Sequence, residues 1–244
     1  MKLEIEHLKL SFGGQPILND LTFGVKTQEF VTILGPSGCG KSTILNILAG
    51  VLGNYDGSVY VDGQRLEGIS GHFAYMPQND LLLEWRTILD NVTLYGQIHR
   101  DKKAKEKAKA AFPTFGLEGY ENAYPRALSG GMRQRAAFLR TSLCQADILL
   151  LDEPFGALDV ITRNDMQDWL LKLREKYNRT TLLVTHDIDE ALYLSDRILV
   201  LSDKPSRIVK EIDLRNVEKS REWLFSQSEL KKEIYDLLRG KDHA

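Results

Sequence analysis

The run Phe30-Val31-Thr32-Ile33-Leu34 breaks off into Gly35-Pro36-Ser37-Gly38-Cys39-Gly40-Lys41-Ser42-Thr43, and apolar residues then return at Ile44, Ile47, Leu48 and Val51. A short, nearly continuous apolar run reads as a strand buried on both faces of a parallel sheet. The spacing after the glycines predicts a helix reaching Val51. Few folds accommodate strand, glycine turn and helix in that order; a βα unit of a parallel sheet is the natural one.

Residues 35–42 also satisfy G-x-x-x-x-G-K-[ST] at every fixed position. The chemistry asks for each residue type. Glycines let successive backbone N–H groups converge on phosphate oxygens, and the helix that follows offers its positive N-terminal end. Gly35 to Gly40, with Lys41, Ser42 and Thr43, are therefore the expected phosphate cradle. Lys41 is expected to neutralise the β- and γ-phosphates, and the Ser42 hydroxyl to ligate Mg²⁺. A glycine turn with a stray lysine is the bland alternative, but the flanking strand and helix are the context the motif requires.

A second apolar run, Ile148 to Leu151, ends in Asp152-Glu153-Pro154. At the C-terminal end of a parallel strand Asp152 is expected beside the phosphate loop, holding the metal directly or through water. Glu153 would then polarise the water that attacks the γ-phosphate.

Elsewhere the pattern is α/β. Leu3 and Ile5, then Leu8, Leu10 and Phe12, alternate with a phase shift at His7 that a bulge would produce, and Leu21, Phe23 and Val25 alternate again. Residues 81–146 read as mostly helical. Strand-like runs at Ile148–Leu151, Thr181–Thr185 and Ile198–Leu201 then alternate with a helical stretch holding Met166, Trp169, Leu170 and Leu173. Glu229 to Arg239 reads as a closing helix. The expected divisions are 1–80 with 147–214 as the nucleotide-binding core and β subdomain, 81–146 as a helical subdomain, and 215–244 as a helical extension.

Bulk numbers exclude several classes. A net charge of -2 gives no electrostatic case for nucleic acid, and two cysteines, Cys39 and Cys144, make no disulfide framework. The first residues have no signal-peptide core and no apolar run approaches a bilayer span. Lys102, Lys103, Lys105, Lys107 and Lys109 are expected to be a solvated helix face rather than a lipid-binding patch, because the alanines among them favour helix. His7, His72, His99 and His243 suggest no site.

Leu128-Ser129-Gly130-Gly131-Met132-Arg133-Gln134-Arg135 resembles the signature sequence of ATP-binding cassette (ABC) proteins, with Met132 where glutamine is usual. By itself it reads as a serine-capped helix start, which is also an anion site. The rest of the family pattern follows in order. Phe12 resembles the aromatic that stacks on adenine, and Tyr75-Met76-Pro77-Gln78 the glutamine loop, with Gln78 sensing Mg²⁺ and nucleotide. Gly156-Ala157-Leu158-Asp159 resembles the loop that crosses a dimer interface, and Thr185-His186-Asp187 carries the switch histidine.

The resemblance implies a P-loop NTPase cassette: a RecA-like parallel core, an antiparallel β subdomain and an inserted helical subdomain. It implies ATP and Mg²⁺ as ligands, Glu153, His186 and Lys41 as catalytic groups, and Ser129, Gly130, Gly131 and Asp159 acting on nucleotide across a homodimer. Residues 82–92 and 201–209 resemble importers of the nitrate, sulfonate and taurine group, which includes importers of thiamine pyrimidine precursors; Glu84 and Ser206 stand where that group has proline and glycine. The implied partners are an integral membrane permease and an extracytoplasmic solute-binding protein, with this chain peripheral on the cytoplasmic face. The competing readings are an exporter-type or cell-division ATPase and a non-transport mechanical ATPase. Against the last, no heptad stretch separates the phosphate loop from the signature.

Overall fold

The computed structural model describes residues 1–240. Two sheets organise them. An antiparallel sheet runs β2-β1-β4-β5, from β1 (Leu3–Phe12), β2 (Gln15–Val25), β4 (Asp56–Val61) and the short β5 (Gln64–Arg65). The second sheet has the order β10-β9-β3-β8-β7-β6, from β3 (Phe30–Leu34), β6 (Phe73–Met76), β7 (Ile148–Asp152), β8 (Thr180–Thr185), β9 (Arg197–Leu201) and β10 (Ile208–Asp213). Its pairs are parallel except β10 with β9.

The bulge expected at His7 is present: pairing with β2 slips between Ile5 and Leu8, and His7 has φ 53°. Strand β3 is buried along its whole length, as its composition requires at the centre of a parallel sheet. Alternate residues feed opposite cores. Phe30 and Leu34, with Leu149, Leu151 and Leu183, pack against α2 (Ile88–Val92), α5 (Gly130–Ser142), α6 (Val160–Tyr177) and α7 (Ile188–Leu194). Val31 and Ile33, with Leu150 and Val184, pack against α1 (Lys41–Leu48) and the antiparallel sheet. These are the elements of a RecA-like parallel core with an antiparallel β subdomain and an inserted helical block.

The inserted block is less regular than its periodicity suggests. It comprises α2, α3 (Leu94–Ile98), α4 (Ala104–Ala111) and α5, joined by two single 3₁₀ turns and by irregular chain. Ser129 caps α5 by accepting from the Met132 N–H at 3.3 Å, and Asp159 caps α6 by accepting from Ile161 and Thr162, both at 3.1 Å. After α8 (Arg221–Ser226), α9 (Ser228–Leu238) is the last element among the described residues, close to where a helix is expected.

One expectation fails at Val51. Helix α1 ends at Leu48 because Gly50 adopts a left-handed φ of 75° and turns the chain, so that the Val51 N–H bonds back to the Asn46 carbonyl and the side chain points to solvent. The lysine run lies on a solvated face: Ala108 is the buried residue of α4, Lys107 pairs with Asp101 at 2.7 Å and Lys105 with Asp90 at 3.4 Å. His7, His72 and His99 each have a local partner (Asp20, Asp147 and the Tyr95 carbonyl), and His243 lies outside the described residues.

Candidate nucleotide site

Parallel register aligns the C-terminal ends of four neighbouring strands. Leu34 of β3 lies opposite Thr185 of β8, Asp152 of β7 opposite Val184 of β8, and Met76 of β6 opposite Leu151 of β7. The chain leaving those ends supplies the phosphate loop, His186, Glu153 and Gln78. Residues far apart in sequence therefore meet at one edge, where open α/β sheets bind ligands.

Within the loop, Gly38 and Gly40 hold φ of 80° and 112°, and a Cβ on Gly40 would come within 2.9 Å of Leu18 Cδ2. Neither backbone shape nor space admits a side chain at Gly40. Because Gly40 caps α1 without a side-chain bond, the first amides of that helix stay free for an anion. Lys41 is only 4% exposed; its ammonium donates to the carbonyls of Gly35 (2.9 Å) and Pro36 (3.0 Å) and lies 3.9 Å from Glu153 Oε1. Burial pushes the Cys39 thiol up, which leaves it a packing group rather than a nucleophile.

Glu153 is the hub. Besides Lys41, its Oε2 lies 3.0 Å from His186 Nδ1 and accepts from Gln78 Nε2 at 3.4 Å. Its φ of 43° is a left-handed value that costs a non-glycine residue on the order of 1–3 kcal/mol. Here the surrounding sheet holds it: the Glu153 N–H donates to the Val184 carbonyl at 2.9 Å.

Beside the hub, the Ser42 hydroxyl donates to Asp152 Oδ1 at 2.8 Å and the Tyr75 hydroxyl to Oδ2 at 2.9 Å. Burial raises the Asp152 carboxyl above its ordinary range, the Glu153 charge adds to this, and the two hydroxyls oppose it. The nearby Lys41 charge also opposes the rise, and a cation placed beside the carboxyl would favour its ionised form further. Hydroxyl and carboxylate oxygens with no sulfur or imidazole among them suit Mg²⁺, which takes one or two protein oxygens and keeps phosphates and water for the rest. The donor set fits the ion.

The remaining expected residues separate into two groups. Phe12 stands 50% exposed at the tip of the β1–β2 hairpin, free to stack on a base. Ser129, Gly130 and Gly131 do not join this cluster. Ser129 makes no hydrogen bond to the phosphate loop among the described residues, and a Cβ on Gly131 would meet Thr162 at 2.8 Å, so the signature packs beside the start of α6. Asp159 caps that same helix.

Three contributors escape sequence reasoning. Buried Ser206 places its hydroxyl 2.7 Å from the Cys39 carbonyl and 3.0 Å from that of Ile17, tying the phosphate loop to β2. Arg163 of α6 donates to Asp187 Oδ2 and to the Leu158 carbonyl, both at 3.1 Å, and so fixes the turn that follows His186. Glu190 is fully buried on α7, accepting from the Thr185 hydroxyl at 3.1 Å. For Ser206 the linear signal is its departure from the glycine of the resembled group, for Glu190 it is an acidic residue beside Ala191 and Leu192, and Arg163 has none.

Burial, reinforced by the Asp187 charge, pushes the Glu190 carboxyl from 4.5 up to about 8. Between those values the folded state keeps a proton that the unfolded chain releases, so stability falls as pH rises through that window. Glu190→Gln removes the titration. Its stability relative to the parent should grow from pH 5 to pH 8 by on the order of a few kcal/mol, read by urea unfolding at both ends. An unchanged slope would place the titrating group elsewhere.

Fold and site together define a nucleoside-triphosphate-binding P-loop domain. The ABC transporter family model matches residues 18–156. The chain is 45% identical to the formylaminopyrimidine import ATP-binding protein of Halalkalibacterium halodurans, over 97% of this chain and 96% of that protein. It is 43% identical to an aliphatic sulfonates import ATP-binding protein of Bacillus cereus, over 81% of this chain and 78% of that one. With the taurine import ATP-binding protein of Escherichia coli O157:H7 identity is 41%, over 87% and 84%. Among solved structures, a dimeric bacterial ABC transporter cassette superposes with a TM-score of 0.74 at 30% identity, over 88% of this chain and 99% of that one. The same cassette in a post-hydrolysis state bound to ADP and Pi gives 0.73 at 29% identity. This chain belongs to the ABC transporter family.

Proposed function

We propose that this chain is the ATP-hydrolysing, energy-coupling subunit of an importer for a small solute, working as a homodimer on a separate permease at the cytoplasmic face of the membrane. The observation behind the reading is the convergence of Lys41, Gln78 and His186 on Glu153, next to the Ser42–Asp152 pair. Glu153 accepts a proton from water, Lys41 and the loop amides hold phosphate charge, and His186 and Gln78 fix the orientation of the Glu153 carboxylate. Mg²⁺, held by Ser42 and Asp152, supplies neutralisation of phosphate charge when bound.

A second copy completes the site in this reading. The signature serine and glycines of one chain stand apart from its own phosphate loop, so Ser129 and the N-terminus of α5 serve nucleotide held by the partner, with Asp159 at the crossing loop. Residues 81–146 act as the helical signature unit. The import proteins to which the chain is similar support a sulfonate, taurine or pyrimidine-precursor cargo; nitrate as cargo and delivery by an extracytoplasmic solute-binding protein rest on the resemblance of residues 82–92 and 201–209 alone. No helix among the described residues is long and apolar enough to cross a membrane.

The surface after Gln78 is the docking site for that permease. Leu82 is core, but Leu81 is exposed and Trp85 is 74% exposed. Large apolar side chains left in solvent mark partner contacts. Trp85→Glu should abolish permease co-purification and transport while leaving nucleotide affinity of the isolated subunit within about twofold, a surface change being near neutral for folding. Transport and co-purification retained in that variant would refute the docking surface. Co-purification of the parent with a non-transport complex would refute the importer.

A further inference from the structure

The two oxygens of the buried Asp152 carboxylate are held in different ways. Oδ1 accepts from Ser42, itself one of the residues fitted to Mg²⁺; Oδ2 accepts from Tyr75, which opens the glutamine-loop segment but is itself expected to touch neither nucleotide nor metal. Strand geometry explains the reach. Tyr75 of β6 lies opposite Leu150 of β7, so both side chains, and that of Asp152 two residues further on, project to the same face of the sheet. An aliphatic side chain at Tyr75 would fill the space over Leu150 and stop there. The phenol extends one residue pair further and ends in a donor. Its ring packs half-buried against the core under α1, so the hydroxyl is delivered from a seated group rather than a free rotor.

We propose that Tyr75 is a positioning residue for the metal site: its hydroxyl pins Asp152 Oδ2 and thereby keeps Oδ1 turned toward Ser42. A carboxylate pivots about its last side-chain bond, and that torsion is broad. With one oxygen anchored to a group that takes no part in metal binding, the other stays directed at the place where Ser42 also points. Outer-sphere hydrogen bonds to metal-ligating carboxylates characteristically change metal affinity about 10–100-fold when removed. The proposal deepens the MgATP reading of this site and rests on it.

The test is Tyr75→Phe, which deletes one oxygen and keeps the ring. Binding of a β,γ-imido ATP analogue, which cannot be hydrolysed, is measured for parent and variant across free Mg²⁺ from micromolar to millimolar, and again in excess chelator. Melting of the unliganded proteins controls for folding. The expected result is an Mg²⁺ midpoint raised about tenfold in the variant, with metal-free affinity within twofold. An unchanged midpoint overturns the proposal. So does an equal loss with and without Mg²⁺, which would make Tyr75 a wall of the pocket. A parent that fails to bind the analogue under any condition would instead overturn the nucleotide site. Binding by the parent that ignores Mg²⁺ would overturn the metal assignment of Ser42 and Asp152, and this proposal with it.

Discussion

Glu153→Gln will keep ATP binding and lose hydrolysis by a factor of about 10²–10⁴, the range for removal of a general base. The amide is nearly isosteric, so the contacts that Gln78 and His186 make with Glu153 Oε2 survive in geometry, and the left-handed φ of 43° is unchanged. What disappears is the capacity to accept a proton in the transition state, an effect on kcat rather than on ground-state binding. ATP bound but not turned over should hold two copies together, so the variant with ATP should elute as a dimer in size-exclusion chromatography. Turnover at the parental rate would remove Glu153 from its proposed role.

Lys41→Ala should weaken productive nucleotide binding by about a hundredfold or more, since hydrogen bonds to charged groups are worth about 1.5–3 kcal/mol each and Lys41 is proposed to serve two phosphates. Ser129→Arg should also be inactive as a homodimer, through a bulky cation at a helix start that receives phosphate in the proposed arrangement. The informative experiment mixes the two. If Ser129 acts on nucleotide held by the opposite copy, a dimer of one Lys41→Ala chain and one Ser129→Arg chain places both defects in one site and leaves the other whole. ATPase activity should then reappear on mixing. If Ser129 acted within its own chain, each site would carry one defect and mixing would restore nothing. Demonstrated heterodimers without activity would count against the trans arrangement.

Much of this protein is legible in its linear order because the relevant physics is local. A phosphate loop needs its glycines, lysine and serine within one turn of chain, so residues 35–43 declare themselves. The acidic pair at the end of β7 follows its strand directly, and Ser129 precedes the helix it caps. The parallel core was legible because β3, β7, β8 and β9 are buried on both faces and each carries a short apolar run. Weaker signals were lost: β4, β5, β6 and β10 are short, partly exposed or irregular in alternation, and they draw their stability from pairing with strands distant in sequence. Val51 shows the opposite failure. Its helical spacing was correct, and a single left-handed glycine ended the helix first.

The sequence by itself determined the class of chemistry: where a phosphate-loop motif lies, which carboxylates follow a buried strand, and in what order the motifs run. Tertiary structure alone decided who touches whom. Glu153 gathers Lys41, Gln78 and His186 because parallel register brings four strand ends level, a property of the sheet rather than of any segment. Ser206 holds the phosphate loop, Arg163 holds the turn after His186, and Tyr75 holds Asp152, across separations of 167, 24 and 77 residues. Hydrogen bonds of this kind depend on position to within a fraction of an ångström and leave no periodic trace. They exist only once the hydrophobic pattern, which is written in the chain, has fixed the strands and helices that carry them.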